Sequence, residues 1–228
     1  MYPAVVFARL SSSRLPGKAL LTVNGITLID FVFQTLEKTD AISDVLLATS
    51  TDDSDTPLVE HAVARGLSVF RGSLKNPSNR LCEAMKKLST EAVFRVNGDS
   101  PFINKSLFSQ AADVFARSEF DLVTNVFPRT YPPGISVELI RTATYLDIEP
   151  KLISDHYREH ITTYFYENPN AFKILNLTSS NDLSACSLAV DTPEDFERFA
   201  KIVKSMDRHH SDYTVDEIIE KYVSVRAD

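Results

Sequence analysis

The alternation of short apolar runs with longer amphipathic stretches restricts the fold of this chain more than any other feature of its sequence. The apolar runs are rich in β-branched and aromatic residues, as buried strands are, and they lie at 5–7, 45–48, 67–70, 92–96 and 122–125. Between them, apolar residues recur at helical spacing at 28–36, 58–64, 79–88 and 106–117. This β-α rhythm predicts an α/β fold with a Rossmann-like, doubly wound and mostly parallel sheet.

The rhythm changes after Pro128. A turn is predicted at Pro132-Pro133-Gly134, a strand at Ile135–Ile140 and an amphipathic helix at Asp155–Tyr166. We expect this segment, residues 128–170, to cover a binding site or to contact a partner.

The last part of the chain returns to the earlier pattern. Ser187–Val190 is predicted as a strand, and Thr192 and Pro193 have the residue types of a helix cap and a first helical position. With 228 residues and no internal repeat, the chain can bury the core of one large domain. We therefore expect a single domain over residues 1–228, with the segment 128–170 as an insertion.

The composition argues against several functional classes. A net charge of -7 without a basic tract disfavours sequence-independent nucleic-acid binding, which needs many phosphate contacts. Cys82 and Cys186 lack the spacing of a zinc knuckle or a disulfide framework. The chain shows no run near the roughly 20 apolar residues of a membrane span and no recognisable secretory leader. We expect a cytoplasmic protein that binds neither nucleic acid nor membranes.

A basic loop follows the first predicted strand and reads Ala8-Arg9-Leu10-Ser11-Ser12-Ser13-Arg14-Leu15-Pro16-Gly17-Lys18. Its cations, hydroxyl groups and Pro-Gly turn combine positive charge with hydrogen-bond donors, as a polyphosphate requires. In an acidic chain, such a cluster indicates a small anionic ligand, and a solvated loop is the alternative. Ser12 stands where a Walker loop requires its first glycine, which argues against a P-loop ATPase.

Two aspartates follow predicted strands. Asp99 lies in the turn Asn97-Gly98-Asp99-Ser100-Pro101, and Asp191 directly follows Val190. Because ligands of such sheets bind beyond the carboxyl ends of the strands, we expect both aspartates to lie near the basic loop. Magnesium takes one or two protein carboxylates together with phosphate oxygens, so the pair favours a magnesium site over the alternative of ordinary turn and cap residues.

Two other polar clusters are weaker candidates. Asp52-Asp53-Ser54-Asp55 lacks the glycine and glutamate of a calcium loop, and we interpret it as a solvated turn that caps the next helix. His156 and His160 have a spacing compatible with zinc, but Tyr157 stands where the metalloprotease pattern requires glutamate. The alternatives are histidines that pack or cap, or a contact of Arg158 and His160 with an acidic sugar.

Three motifs in order resemble the sugar cytidylyltransferases. The basic loop matches Ala-Arg-x-x-Ser-x-Arg-Leu-Pro-Gly-Lys, Gly98–Pro101 matches Gly-Asp-x-Pro, and Val190–Asp195 matches Val-Asp-Thr-Pro-Glu-Asp. The resemblance covers nearly the whole chain. It is closest to the SpsF-type proteins of spore-coat polysaccharide biosynthesis and more distant to the enzymes that activate 3-deoxy-manno-octulosonate and acylneuraminate. It implies a fold of the nucleotide-diphospho-sugar transferase type, with a small lid or dimerisation segment.

The resemblance also implies roles for individual residues. Arg14 and Lys18 would hold a triphosphate with support from Arg9. The catalytic residues would be Arg14, Lys18 and Asp99. The nucleotide would contact Ala8, Arg9, Ser13, Arg14, Lys18, Arg80 and Asn97. Asp99 and Asp191 would bind Mg²⁺. The sugar would contact Tyr131, Glu138, Arg158 and His160, although Pro133 and Ser136 replace two acidic residues that the SpsF-type pattern often has there.

The function implied is transfer of CMP from CTP to an acidic sugar of the 2-keto-3-deoxy type, giving a CMP-sugar and pyrophosphate for surface polysaccharide. Relatives commonly pair through the segment after the central sheet, so a homodimer using part of Pro128–Tyr166 is expected. Three alternatives remain open: a nucleotidyltransferase for a sugar or alditol phosphate, a glycosyltransferase, and a non-catalytic nucleotide-sugar binding protein.

Overall fold

The computed structural model describes residues 1–227, so the last position of the expected domain, Asp228, lies outside the described residues. The strands are β1 (Tyr2–Phe7), β2 (Thr22–Val23), β3 (Ile26–Thr27), β4 (Ile42–Ser50), β5 (Ser68–Gly72), β6 (Ala92–Asn97), β7 (Leu122–Thr124), β8 (Glu138–Arg141) and β9 (Ile174–Asn176). The helices are α1 (Leu28–Glu37), α2 (Thr56–Ala64), α3 (Pro77–Leu88), α4 (Lys105–Phe115), α5 (Thr142–Ile148), α6 (Asp155–Glu159), α7 (Thr163–Glu167), α8 (Pro193–Lys204) and α9 (Val215–Ala227).

Within residues 1–227, seven strands form one sheet in the order β5-β4-β1-β6-β8-β7-β9. β8 runs antiparallel to both of its neighbours, and the other strands all run in one direction. The prediction of a doubly wound, mostly parallel α/β sheet is confirmed. β1 pairs with β6 so that Phe7 stands beside Asn97, and the segments that follow these two residues emerge at the same edge of the sheet.

The core lies on both faces of the sheet. Ala4 and Val6 belong to one apolar cluster and Val5 to the other, because successive side chains of a strand point to opposite faces. All three are fully buried, as a central parallel strand with helices on both sides requires.

The segment between β7 and α8 departs most from the prediction. The predicted strand Ser187–Val190 is an extended stretch without a ladder: the amide of Leu188 donates to the carbonyl of Pro133, and the amide of Val190 to the carbonyl of Asp99. Both acceptors lie in loops, so the stretch has no neighbouring strand with which it could form a ladder.

The predicted helix Asp155–Tyr166 consists of two short helices, α6 and α7, because His160 between them has non-helical dihedral angles (φ -102°, ψ 85°). The predicted strand at 135–140 begins only at Glu138, since Asn125 occupies the backbone before it. The side-chain Nδ2 of Asn125 donates to the carbonyl of Ile135 at 2.7 Å, and its Oδ1 accepts from the backbone amide of Val137 at 2.8 Å.

The β2–β3 hairpin was not predicted. Asn24 and Gly25 form its two-residue turn with φ of 53° and 78°, as such tight turns require. The start of α8 follows the prediction, with Thr192 as the cap and Pro193 in the first turn. No helix of the described residues is both long and apolar enough to cross a bilayer.

Candidate active site

The loop after β1 and the turn after β6 line one cavity of about 290 Å³ at the carboxyl edge of the sheet. The cavity contains every residue that the sequence predicted for the nucleotide or the metal: Ala8, Arg9, Ser13, Arg14, Lys18, Arg80, Asn97, Asp99 and Asp191. The parallel register of β1 and β6 brings the first two motifs together. The third motif arrives from the end of the chain through the extended stretch before α8.

The ammonium group of Lys18 lies at the centre of this site. Its Nζ donates to Asp99 Oδ2, to Asp191 Oδ1 and to the carbonyl of Val190, each at 2.8 Å. The Lys18 side chain is 11 % exposed, whereas those of Asp99 and Asp191 are 30 % and 32 % exposed. Two carboxylates therefore converge on one cation at the edge of the cavity and keep part of their surface open to a ligand.

Two arginines add positive charge to the same cavity. Arg14 Nη2 lies 3.0 Å from Asp191 Oδ1, and the Arg14 side chain is 62 % exposed. Arg9 Nη2 donates to Glu159 Oε1 at 3.0 Å and so connects the basic loop to the end of α6. Both contacts are solvent-exposed ion pairs, which are weak enough for an incoming anion to replace.

Gly98 permits the close approach of the two loops. Its amide donates to the carbonyl of Phe7 at 2.8 Å, and a Cβ at this position would lie 2.8 Å from the Cβ of Ala8. A side chain would therefore push the basic loop away from Asp99. The glycine of the second motif therefore brings the basic loop and the segment that carries Asp99 together.

Asp191 is positioned by backbone contacts on both sides. The amide of Val190 donates to the carbonyl of Asp99 at 2.9 Å, and the amide of Asp191 donates to Asp195 Oδ2 at 3.1 Å. Asp195 also accepts from the amide of Thr192 and completes the capping box of α8. Burial acts to raise the pKa of Asp195, but the hydrogen bonds from the Asp191 and Thr192 backbone and from the Thr192 and Arg198 side chains together lower it.

Arg80 forms part of the cavity wall with most of its guanidinium already engaged. It donates to the carbonyl of Ser73 at 2.6 Å and to the carbonyl of Ala48 at 3.4 Å, and it is 3 % exposed. Burial lowers the pKa of Arg80, and the nearby Asp55 carboxylate opposes this effect. The side of Arg80 that reaches the cavity offers a ligand a rigidly held cation.

Arg95 lines the cavity on the side of β8, and no pattern in the sequence predicted this position. Its Nη1 donates to Glu138 Oε2 at 3.0 Å, while its buried Nε has no hydrogen-bond partner among residues 1–227. Glu138 is 3 % exposed and also accepts from the hydroxyl of Tyr166 at 2.6 Å. Burial and this carboxylate raise the pKa of Tyr166 well above its usual value.

The residues predicted for the sugar are not among those that line the cavity. Glu138 lies behind the wall and reaches the cavity only through Arg95. Tyr131 packs against the core, where burial and then Asp216 raise its pKa. Arg158 pairs with Asp155 at 3.5 Å. The sugar roles of Tyr131, Glu138, Arg158 and His160 stay predictions.

The two weaker candidates of the sequence gain no support as metal sites. The rings of His156 and His160 lie 5.1 Å apart, and His156 pairs with Glu167 at 3.1 Å. In the described part of the chain, no group of three or more His, Cys, Asp or Glu side chains could hold a metal ion. The interpretation of 52–55 as a solvated turn is wrong at Asp55, which is completely buried.

The sequence missed several further parts of the wall: Phe7, Pro77, Arg95, Glu159 and Ile161. Glu159 and Ile161 flank His160, so the one available indication was the Arg-Glu-His sequence of the predicted helix. Phe7 ends β1 directly before the basic loop, and Arg80 and Arg95 lie 5.8 Å and 6.0 Å from its ring centroid. Only the sheet order shows that these residues share one wall.

Comparisons with known proteins agree with the motifs. SpsF, the spore coat polysaccharide biosynthesis protein of Bacillus subtilis, is 27 % identical over 201 residues, which are 85 % of this chain and 82 % of SpsF. A cytidylyltransferase structure from Leptospira borgpetersenii superposes with a TM-score of 0.93 at 26 % identity, over 99 % of this chain and 95 % of that one.

A second solved structure shares the fold at lower identity. The CMP:2-keto-3-deoxy-manno-octonic acid synthetase complexed with CTP superposes with a TM-score of 0.68 at 18 % identity, over 90 % of this chain and 99 % of the synthetase. The sequence model of one family, described as Cytidylyltransferase, matches residues 4–224. With a family match over almost its whole length and the three motifs of that family around one cavity, this chain belongs to the cytidylyltransferases.

Proposed function

We propose that this cytidylyltransferase transfers CMP from CTP to a hydroxyl group of an acidic sugar of the 2-keto-3-deoxy type, giving a CMP-sugar and pyrophosphate. The observation that carries the proposal is the convergence of Asp99 and Asp191 on the Lys18 ammonium inside a cavity that also holds Arg9 and Arg14. Such a site combines cations for a triphosphate with carboxylates for a metal ion.

The donor set fits magnesium. Asp99 and Asp191 supply hard oxygen ligands, both side chains are partly exposed, and magnesium commonly uses one or two carboxylates plus substrate phosphates. These two residues would hold the ion, which would neutralise charge on the reacting phosphates. Lys18 would then move its contacts from the carboxylates toward phosphate oxygens, since one ammonium group has only three donors.

In the reaction, the acceptor hydroxyl oxygen forms a bond to the α-phosphorus of CTP as the bond from that phosphorus to the bridging oxygen of pyrophosphate breaks. The hydroxyl proton goes to solvent, and pyrophosphate carries away the bonding electron pair. The chain contributes position and charge: Arg9, Arg14 and Lys18 bind the phosphates, and little covalent work is required of the protein.

The two sides of the cavity suit different substrates. Ala8 and Arg80 lie on the side of β1, β4 and β5, where the basic loop would direct the nucleotide. Arg95 lies on β6 and is tied to Glu138 on β8, the side of the 128–170 segment. The CTP bound in the related synthetase and the polysaccharide role in the name of SpsF support this assignment of a nucleotide and a sugar.

The test is pyrophosphate release with magnesium and each of the four nucleoside triphosphates, across a panel of 2-keto-3-deoxy acidic sugars. We expect release with CTP and one sugar acid. Asp99→Asn and Asp191→Asn should each lower the rate by about 10²-fold or more, since each removes a charge at the reacting phosphates.

Asp147→Asn is the control, because that side chain is 78 % exposed and pairs only with Lys151 in this structure. It should keep the full rate. Release with a sugar phosphate in place of a sugar acid would reject the acidic acceptor. Full activity of Asp99→Asn at limiting magnesium would reject the metal assignment, and tight CTP binding without turnover on any acceptor would favour a binding protein.

A further inference from the structure

The carboxylate of Asp55 is fully buried and lies behind the basic loop, outside the cavity wall. It accepts four hydrogen bonds. Oδ2 accepts from Thr49 Oγ1 at 3.0 Å and from both the amide and the hydroxyl of Ser50, at 3.2 Å and 2.5 Å. Oδ1 accepts from the amide of Leu10 at 2.7 Å. One buried carboxylate thus connects the end of β4 to the basic loop.

Leu10 closes the base of that loop, and we call its backbone the neck of the loop. Its amide is held by Asp55, and its carbonyl accepts from the amide of Gly17 at 2.9 Å. Gly17, with φ of 71°, directly precedes Lys18. The contacts therefore run from Asp55 through Leu10 to the turn that presents Lys18 to Asp99 and Asp191.

The charge of Asp55 also acts on Arg80, which lines the cavity. The negative charge of Asp55 raises the pKa of Arg80 against the stronger lowering effect of burial. Arg80 itself donates to the carbonyl of Ala48, on the same strand as Thr49 and Ser50. A buried carboxylate that accepts four hydrogen bonds is compensated, so its burial is tolerated.

We propose that Asp55 is a positioning residue for nucleotide binding, which holds the neck of the triphosphate-binding loop through the Leu10 amide. Asp55 touches no substrate; it acts by keeping the loop in the form in which Lys18 and Arg14 face the cavity. This inference rests on the proposed function, because it takes CTP as the ligand of the loop.

The experiment compares Asp55→Asn with Thr49→Val. In Asp55→Asn, three donors hold the remaining oxygen in the Oδ2 position, so the new amide group faces the Leu10 amide, donor against donor. Thr49→Val removes a buried hydrogen bond to the same carboxylate and leaves the Leu10 contact intact. Thermal unfolding measures the loss of stability in each variant, and calorimetry with magnesium and CTP measures the affinity.

We expect both variants to unfold at lower temperature, but only Asp55→Asn to bind CTP about tenfold or more weakly, with Thr49→Val within twofold of the wild type. A purely structural role predicts that affinity follows stability equally in both. Equal CTP affinity in the two variants would overturn the proposal.

Amide hydrogen exchange without ligand separates this proposal from the proposed function. In the wild type, the Leu10 amide should exchange far more slowly than the amides of Ser11–Ser13, and Asp55→Asn should remove that difference. Fast exchange of Leu10 in the wild type would overturn the proposal even if the variant does not fold. If the wild type binds no CTP but Leu10 is protected, the proposed function fails and the loop contact stands.

Discussion

At the residue scale, Lys18 explains how the carboxylates of Asp99 and Asp191 can lie close together. Asp99 and Asp191 would repel each other across a partly buried space, and the ammonium between them offsets that repulsion. The carbonyl of Val190 is the third acceptor of the Lys18 ammonium group. The positive and negative groups at this edge of the cavity therefore stabilise one another.

We expect the ion pair between Arg9 and Glu159 to compete with CTP for the Arg9 guanidinium. Glu159→Gln would free Arg9 for the triphosphate, so we expect CTP to bind a few-fold more tightly. The gain is limited because both side chains are solvent-exposed, at 39 % and 44 %, and such pairs contribute roughly 0–1 kcal/mol. Calorimetry at low and high salt measures the effect, which should shrink as salt rises.

Glu167→Gln is the matched control for Glu159→Gln. It removes one negative charge from the same segment, where Glu167 contacts His156 and Tyr157 but is not among the cavity residues. Equal gains in both variants would show a general charge effect and no direct competition at Arg9.

His210 makes the stability of the protein depend on pH. Burial lowers the pKa of His210 to about 4, and its Nε2 lies 2.9 Å from the carbonyl of Phe31. The unfolded chain binds this proton near pH 6.5 and the folded chain near pH 4. Stability from this group is therefore complete above about pH 6.5 and is lost as the pH falls toward 4, by about 3 kcal/mol in all.

His210→Gln keeps a donor for the Phe31 carbonyl and removes the titration. We expect the variant to lose less thermal stability than the wild type between pH 7 and pH 4.5. The carboxylates with lowered pKa values, such as Glu217 at about 2, act below this range. An unchanged pH dependence would show that His210 is not the group responsible.

At the scale of the elements, the extended stretch before α8 is held in place by a glycine. Gly134 has φ of 94°, and a Cβ there would lie 2.4 Å from the amide nitrogen of Ala189. Next to it, the carbonyl of Pro133 accepts from the amide of Leu188 at 2.8 Å. This contact fixes the position of the stretch that leads to Asp191, although the stretch forms no strand.

Gly134→Ala should therefore destabilise the protein and weaken CTP binding together. Gly66→Ala is the control: Gly66 has φ of 79°, but a Cβ there meets nothing within 4 Å. The control should lose only the roughly 1–2 kcal/mol of left-handed backbone strain and keep its CTP affinity. Thermal unfolding and calorimetry measure both. If the two variants behaved alike, the contact with Ala189 would have no special role.

At the scale of the whole molecule, the homodimer expected through the 128–170 segment stays a prediction. Ile153 lies in this segment and is 74 % exposed, so a dimer interface built on the segment can be tested at this side chain. A dimer through this surface would bury it next to α6, the helix that contributes Glu159 to the cavity.

Sedimentation equilibrium should therefore give about twice the monomer mass of 25.5 kDa. Ile153→Asp should shift the protein toward the monomer, because a carboxylate would be buried in the interface. Val63→Asp is the control, since Val63 is 59 % exposed on α2, outside the segment. A wild-type monomer at high concentration would reject the dimer, and an equal shift by both variants would place the interface elsewhere.

The sequence by itself determined the fold class and which residues of the predicted nucleotide site line one cavity. Apolar periodicity is a local property, so it predicts strands and helices without knowledge of their neighbours. The parallel order of the strands then brings their carboxyl ends to one edge, and the motifs after Phe7 and Val96 could be assigned to one site for that reason alone. The failed strand at Ser187–Val190 shows the limit, since an apolar run does not indicate whether a sheet edge is available to it.

Only the tertiary structure decided which groups meet inside the site. Lys18 meets Asp99 and Asp191 across sequence separations of 81 and 173 residues, and Arg9 meets Glu159 across 150. The burial of Asp55 and the tie between Arg95 and Glu138 likewise depend on strand order. A charged residue has the same local pattern whether it is solvated or paired, because the free energy of its contacts depends on partners that the fold alone supplies.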